Sequence, residues 1–334
     1  MVDCMRRTEG SETNILLDLM IARLDGLSYK EKILLCESFN TEQDLIQKSK
    51  TDIEMLIGHE IPAFWNIDNI RLQAEHDITA ARLKGINQVS WRSPAYPPLL
   101  REIYDPPPLL FFRGNLPNPE APLAAIVGTR KPSPQAAAQA FDIARGLARG
   151  GISVVSGLAL GIDSMAHRGN IEGGAPTIAV LGSGLDHVYP LSNRTLARQV
   201  LETGGALLSE YPPGTSPRKW NFPARNRIIS GLSRGVLIIE APQKSGALIT
   251  ARFALEHNRE LWVASAGIAE TEGRYIFDRR GTIKLAEDGA EIIHFASDIL
   301  KAWDMEENEP EETNHMTGGA DIASSLARSL GISL

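Results

Sequence analysis

Residues 123–156 read LAAIVGTRKPSPQAAAQAFDIARGLARGGISVVS. A short apolar run, Leu123–Val127, stops at Gly128 and the proline-containing turn that follows it. A segment of helical character, Gln135–Ala148, comes next, and a second apolar run, Ile152–Val155, follows Gly150-Gly151. Runs this short and uninterrupted suit strands buried on both faces. The unit then repeats. Further runs are Thr177–Leu181, Ala206–Leu208, Val236–Ile239 and Leu261–Ala264, and further helical stretches are Asp163–Ile171, Arg194–Thr203 and Ala247–His257. Strand alternating with helix at this spacing predicts an α/β fold, a parallel sheet with helices on both faces.

The flanks differ in kind. Residues 86–122 contain SPAYPPLLREIYDPPPLLFFRG, too rich in proline for a long helix. They are expected to form a lead-in with short strands near Gln88–Trp91 and Leu109–Phe112. Residues 1–85 read as a small helical domain, with Ser28 as a cap before Ile33–Leu35 and Gly85 closing the segment His76–Leu83. Short helices are expected at Asp44–Lys48 and Asp52–Ile57. The α/β part is assigned to 123–300. Residues 301–334 carry the acidic run Asp304–Glu312, read as a solvated linker, with a short amphipathic helix at Ile322–Leu330.

The chain has 334 residues, 43% of them hydrophobic, and a net charge of −7. That is enough for two domains, and the wrong sign for a protein that coats DNA over its whole surface. Two cysteines, Cys4 and Cys36, lack metal-ligand spacing and suit a reducing compartment. No apolar run reaches the roughly 20 residues of a membrane span. Glu9, Glu12 and Asp18 interrupt any signal-peptide core. The expected location is the cytoplasm.

Against this acidic background one stretch is basic. KWNFPARNRIISGLS, Lys219–Ser233, groups Lys219, Arg225 and Arg227 with Trp220, Phe222, Asn221 and Asn226, and no Asp or Glu occurs between Tyr211 and Ile239. Cations, amides and aromatic faces together suit an anionic ligand that stacks, such as single-stranded nucleic acid or a nucleotide. In a parallel sheet ligands bind beyond the carboxyl ends of the strands, so the turns there carry the other candidates. Gly128-Thr129-Arg130 offers a close backbone approach, a hydroxyl and a bidentate cation; a plain strand-to-helix turn is the alternative. Ser156-Gly157 opens a glycine turn, with Asp163 and His167 four residues apart on the next helix and read as braces for it rather than as catalysts. Gly182-Ser183-Gly184 lacks the full dinucleotide fingerprint, and no phosphate-loop motif is present. Ser245-Gly246 begins a helix and can complete an anion cradle or serve only as a cap. Glu240, at a strand end, is expected to pair with an arginine.

Taken in order, IVGTRKP, VVSGLALGIDSMAH, TIAVLGSGLDHVYP, LLSEYPPGTSPRKWNFPARNRIISGLS and VLIIEAPQKSGALITARFAL resemble the DprA/Smf family of DNA-processing proteins over about residues 88–265. The resemblance implies an extended Rossmann-like fold preceded by a SAM-like helical domain, and a homodimer. It implies binding of single-stranded DNA, protection of that strand, and loading of a RecA-type recombinase in natural transformation and recombination. No catalytic residue, cofactor or metal is implied. The implied DNA-binding set is Gly128, Thr129, Arg130, Ser156, Gly157, Lys219, Arg225, Asn226 and Arg227, joined by Ser245 and Gly246, with Phe222 or Trp220 stacking on a base. The chain departs from the family at Ala266-Gly267 and Gly281-Thr282-Ile283, which puts the late sheet edge in doubt. The alternative is a Rossmann-like enzyme that binds or hydrolyses a nucleotide.

Overall fold

The computed structural model describes residues 15–61, 65–269 and 277–306. The expected helix at Ile322–Leu330 and most of the acidic run lie outside them.

The chain begins with helices: α1 over 15–22, α2 Tyr29–Ser38, α3 Glu42–Ile46, α4 Lys50–Ile57 and α5 Ile67–Leu83. Ser28, Thr41 and Ser49 start α2, α3 and α4 with reciprocal bonds to Glu31, Asp44 and Asp52, so the first-turn amides and the cap amide are both satisfied. The proline-rich lead-in follows as β1 Asn87–Ser90, α6 Pro98–Arg101 and β2 Leu109–Gly114. Its strands are not a free linker. They pair with each other and with the main sheet, antiparallel throughout.

The repeating part runs β3 Leu123–Val127, α7 Pro134–Arg149, β4 Ser153–Ser156, α8 Ile162–Glu172, β5 Ile178–Val180, α9 Arg194–Glu202 and β6 Ala206–Ser209. It continues as α10 Asn221–Leu232, β7 Gly235–Ile238, α11 Gly246–Glu256, β8 Glu260–Ala264, α12 Arg280–Glu287, β9 Glu291–Ile293 and α13 Ala296–Ala302. The sheet order is β1-β2-β6-β5-β4-β3-β7-β8-β9, with β3 to β9 parallel. The late edge forms despite the departures near Ala266 and Ile283: Gly267 and Thr282 pack together, the Thr282 hydroxyl donating to the Gly267 carbonyl at 2.5 Å.

Side chains of β3 alternate between two cores. Ala124 and Ile126 meet α7 and α8, whereas Leu123, Ala125 and Val127 meet α10 and α11. The N-terminal helices share a third core with α9 and with β2, β5 and β6. Against α7, the helix α8 comes so close that a Cβ at Gly169 would stand 2.1 Å from the Phe141 carbonyl oxygen.

One element departs from expectation. The basic stretch, offered by the sequence as a group of ligand-facing cations and amides, is helix α10, nine of whose residues are buried. Pro223 stands in the first turn, where a missing N–H breaks no helical bond. The Gly169→Ala variant should lose about 1–3 kcal/mol of unfolding free energy, read from the denaturant midpoint, because α7 and α8 must separate to admit the methyl.

Candidate nucleic-acid interface

From β3 the chain winds outward through β4, β5 and β6, then returns to lay β7 on the other side of β3. The turns after β3 and β7 therefore leave the sheet in opposite directions and open a crevice at their carboxyl ends. An open cleft of about 940 Å³ occupies this place. Gly128, Thr129, Arg130 and Lys131 line it from the turn after β3. Lys219, Phe222, Arg225 and Asn226 line it from the start of α10, and Lys244, Ser245 and Gly246 from the turn after β7.

Backbone geometry makes the first turn possible. A Cβ at Gly128 would meet Ile162 at 2.6 Å, and Gly161, at φ +77°, lies against the Thr129 carbonyl. The Thr129 amide donates to the Glu240 carbonyl at 2.8 Å and the Ser133 amide to the Glu240 carboxylate at 2.7 Å. Arg279 closes the group, its Nε donating to the same carboxylate at 2.7 Å and its Nη2 to the Ser133 hydroxyl at 3.1 Å. Glu240 thus pairs with an arginine, as its strand-end position suggests.

The floor is built from Arg225. Its Nη1 donates to the carbonyls of Gly157, at 2.9 Å, and Val180. Burial, with Arg130 nearby, lowers its pKa to about 10, so it stays charged at neutral pH. Asp163 accepts from the amides of Gly157 (3.1 Å) and Ala159 (3.3 Å), and burial raises its pKa. It braces the glycine turn. His167, fully buried beneath, contacts the Thr177 hydroxyl at 2.8 Å, and that hydroxyl donates to Val154. Thr177 therefore accepts from Nδ1–H, which leaves Nε2 unprotonated. Burial pushes the His167 pKa down to about 3.

Phe222 forms an aromatic edge, its ring 5.5 Å from that of Tyr189 and 5.7 Å below the Arg130 guanidinium. Asn226 donates to the Gly246 carbonyl at 3.0 Å, fastening α10 to the start of α11, where Ser245 caps Ala247. Four of the expected residues do not line the cleft; the first, Gly157, is buried under the Arg225 guanidinium, which lies 2.6 Å from where a Cβ would stand. The Ser156 hydroxyl is fully buried and donates to the Ile126 carbonyl, so it holds β4 to β3. Trp220 is 66% exposed, stacked under Arg218 and outside the cleft lining. Arg227 points away because residues two apart on a helix differ by about 200°. It is 2% exposed, donates to both oxygens of Glu210 at 2.9 and 2.7 Å, and covers the Tyr29 ring at 4.0 Å. The Gly182-Ser183-Gly184 turn is filled by its own chain: Ser183 donates to the His187 carbonyl and Gly182 receives Asn221.

The balance of charge is one-sided. Among the described residues Arg130, Lys131, Lys219 and Lys244 form no ion pair, whereas the cleft's carboxylates are engaged, Glu240 by Arg279, Asp278 by Arg280 and Asp163 by backbone amides. Lys131, Lys244 and Tyr189 escaped the sequence reading as site residues, although each stands within a motif quoted for its glycines.

Strand order and the cleft at its reversal define a Rossmann-like protein with a cation-lined crevice. The model of the family DNA recombination-mediator protein A matches residues 87–304, and the chain belongs to that family, known as DprA/Smf. Protein Smf of Synechocystis is 44% identical over 211 residues, 62% of this chain and 51% of that one, so the match spans about half of that relative. DNA processing protein DprA of Streptococcus pneumoniae is 37% identical over 271 residues, 80% of this chain and 90% of that one. The crystal structure of DprA from that species superposes with a TM-score of 0.67 at 33% identity, covering 86% of this chain and 97% of that one. DprA of Helicobacter pylori, studied for its single-stranded DNA binding mode, superposes with a TM-score of 0.56 at 30% identity over 66% of this chain and 97% of that one.

Two measurements follow from this geometry. His167 takes up no proton in the native state until pH falls toward 3, whereas an unfolded histidine does so near its ordinary 6.5. Its contribution is complete above pH 6.5 and is lost as pH falls. Between pH 7 and pH 5, wild type should lose about 2 kcal/mol more unfolding free energy than His167→Gln. In Glu240→Ala, Arg279 is left as a buried unpaired charge, and denaturant unfolding should show a loss of about 3–5 kcal/mol.

Proposed function

We propose that the cleft binds single-stranded DNA. The observation that carries this reading is the convergence of four cations that form no ion pair among the described residues, Arg130, Lys131, Lys219 and Lys244, with the Phe222 ring in one open recess of an acidic protein. The cations neutralise phosphates, Gly128, Thr129 and Gly246 let the sugar–phosphate chain approach the backbone, and Phe222 stacks on a base. Family membership supports the reading, as does the single-stranded DNA binding named for the Helicobacter pylori relative.

The protein, in this reading, acts in the cytoplasm as a homodimer that protects the strand and passes it to a RecA-type recombinase during transformation and recombination. It is not an enzyme. In support, among the described residues each carboxylate lining the cleft is held by an arginine or by amides rather than left free to act as a base. That weighs against nucleotide hydrolysis at the same site.

Anisotropy with labelled oligo-dT at several salt concentrations tests the reading. Four neutralised phosphates give a slope of about −2.8 in log K against log salt, a loss of about fiftyfold between 50 and 200 mM. Arg130→Ala or Lys219→Ala should weaken binding at least about tenfold and reduce the slope by about 0.7. Trp220→Ala should leave affinity unchanged. Absent or salt-independent binding overturns the proposal.

A further inference from the structure

The cleft does not end at Gly246. A second, shallower groove of about 540 Å³ shares Pro223, Lys244, Ser245 and Gly246 with it and continues along the outer side of α11 to Arg252. The two hollows are therefore one path. Resting on the reading that the cleft binds a single strand, we infer that this groove is its extension, in which the strand leaves the cleft across the start of α11 and sets a phosphate against Arg252.

The other ways out are less suitable. Toward Leu160 the cleft narrows to a niche of about 50 Å³ behind Tyr189 and Phe222, whose rings stand 5.5 Å apart. Asp278, elsewhere on the lining, is a carboxylate already paired with Arg280, so that side offers a phosphate no spare positive charge. Among the described residues no carboxylate lines the groove over α11. Its charged members are Lys244 and Arg252, both exposed, and Leu248 and Ile249 give it apolar patches on which bases can lie.

Two features ease passage at the junction. Gly246 is exposed, and no atom lies within 4 Å of the place its Cβ would take, so a chain can cross at backbone distance. The N-terminus of the eleven-residue α11 also lies at this crossing, and its partial positive charge favours a phosphate there. Arg252 is spaced one and a half turns further along, at the end of the groove. Its ion pair with Glu256, 3.4 Å and exposed on both sides, is of the weak kind that a phosphate displaces.

Paired probes of different length separate the extension from the cleft. Wild type, Arg252→Ala and Gln243→Lys are titrated with dT3, which fits within the cleft, and with dT12, which must also run out of it. Arg252→Ala should bind dT3 as wild type does and dT12 about threefold to tenfold more weakly, with the dT12 salt slope smaller by about 0.7. Gln243→Lys adds a cation to the groove wall and should tighten dT12 alone. Equal effects on both probes, or none on either, overturn the extension and leave the cleft reading standing. Failure of wild type to bind either probe overturns both.

Discussion

The buried carboxylate of Glu240 holds together the two turns between which the cleft opens. One oxygen takes the Ser133 amide from the turn after β3, the other takes Arg279 from the residues before α12, and its own carbonyl takes the Thr129 amide. A charge buried to this degree must be compensated on the spot, and Arg279 does so without drawing on the cations of the mouth. The mouth is left with surplus positive charge because the interior is balanced separately. The same tie fixes the height of Gly128–Arg130 relative to Ser245–Gly246, which sets the shape of the recess.

Helix α10 is the second constraint. It presents Phe222, Arg225 and Asn226 to the cleft, while Arg227 enters the network of Glu210, Asp105 and Tyr29 on its other side. Tyr29 belongs to the N-terminal helices, and its hydroxyl donates to Glu210 at 2.9 Å. The wall of the cleft is thereby seated on the helical segment.

The parallel sheet was readable because its strands are uninterrupted apolar runs bounded by glycine; Leu123–Val127 occupies the expected residues without shift. Helix α10 was not, because both its faces are buried and its apolar residues follow no single stripe. Without its period, Arg225 and Arg227 look alike in the sequence, and only the 200° between them sends one to the cleft floor and the other to Glu210. Ser156 shows the same limit. Its place after an apolar run marked a strand end, but whether the hydroxyl faced the cleft or Ile126 depended on strand pairing. Glu240 could be read as an arginine's partner, yet which arginine could not, because Arg279 lies 39 residues away along the chain. Lys131 and Lys244 are not legible as site residues, since exposed lysines carry no signal until the fold brings them to one rim.

The floor of the cleft has a consequence for the shape of what can reach it. Arg225 and Phe222 lie inside a concave recess, whereas the lysines stand at its lip. On the proposed reading, a double helix, with a persistence length of about 50 nm, is too stiff to bend into a hollow of this size. A single strand turns at every nucleotide and can reach both floor and lip. Concavity thus sorts polymers by stiffness before any base is read.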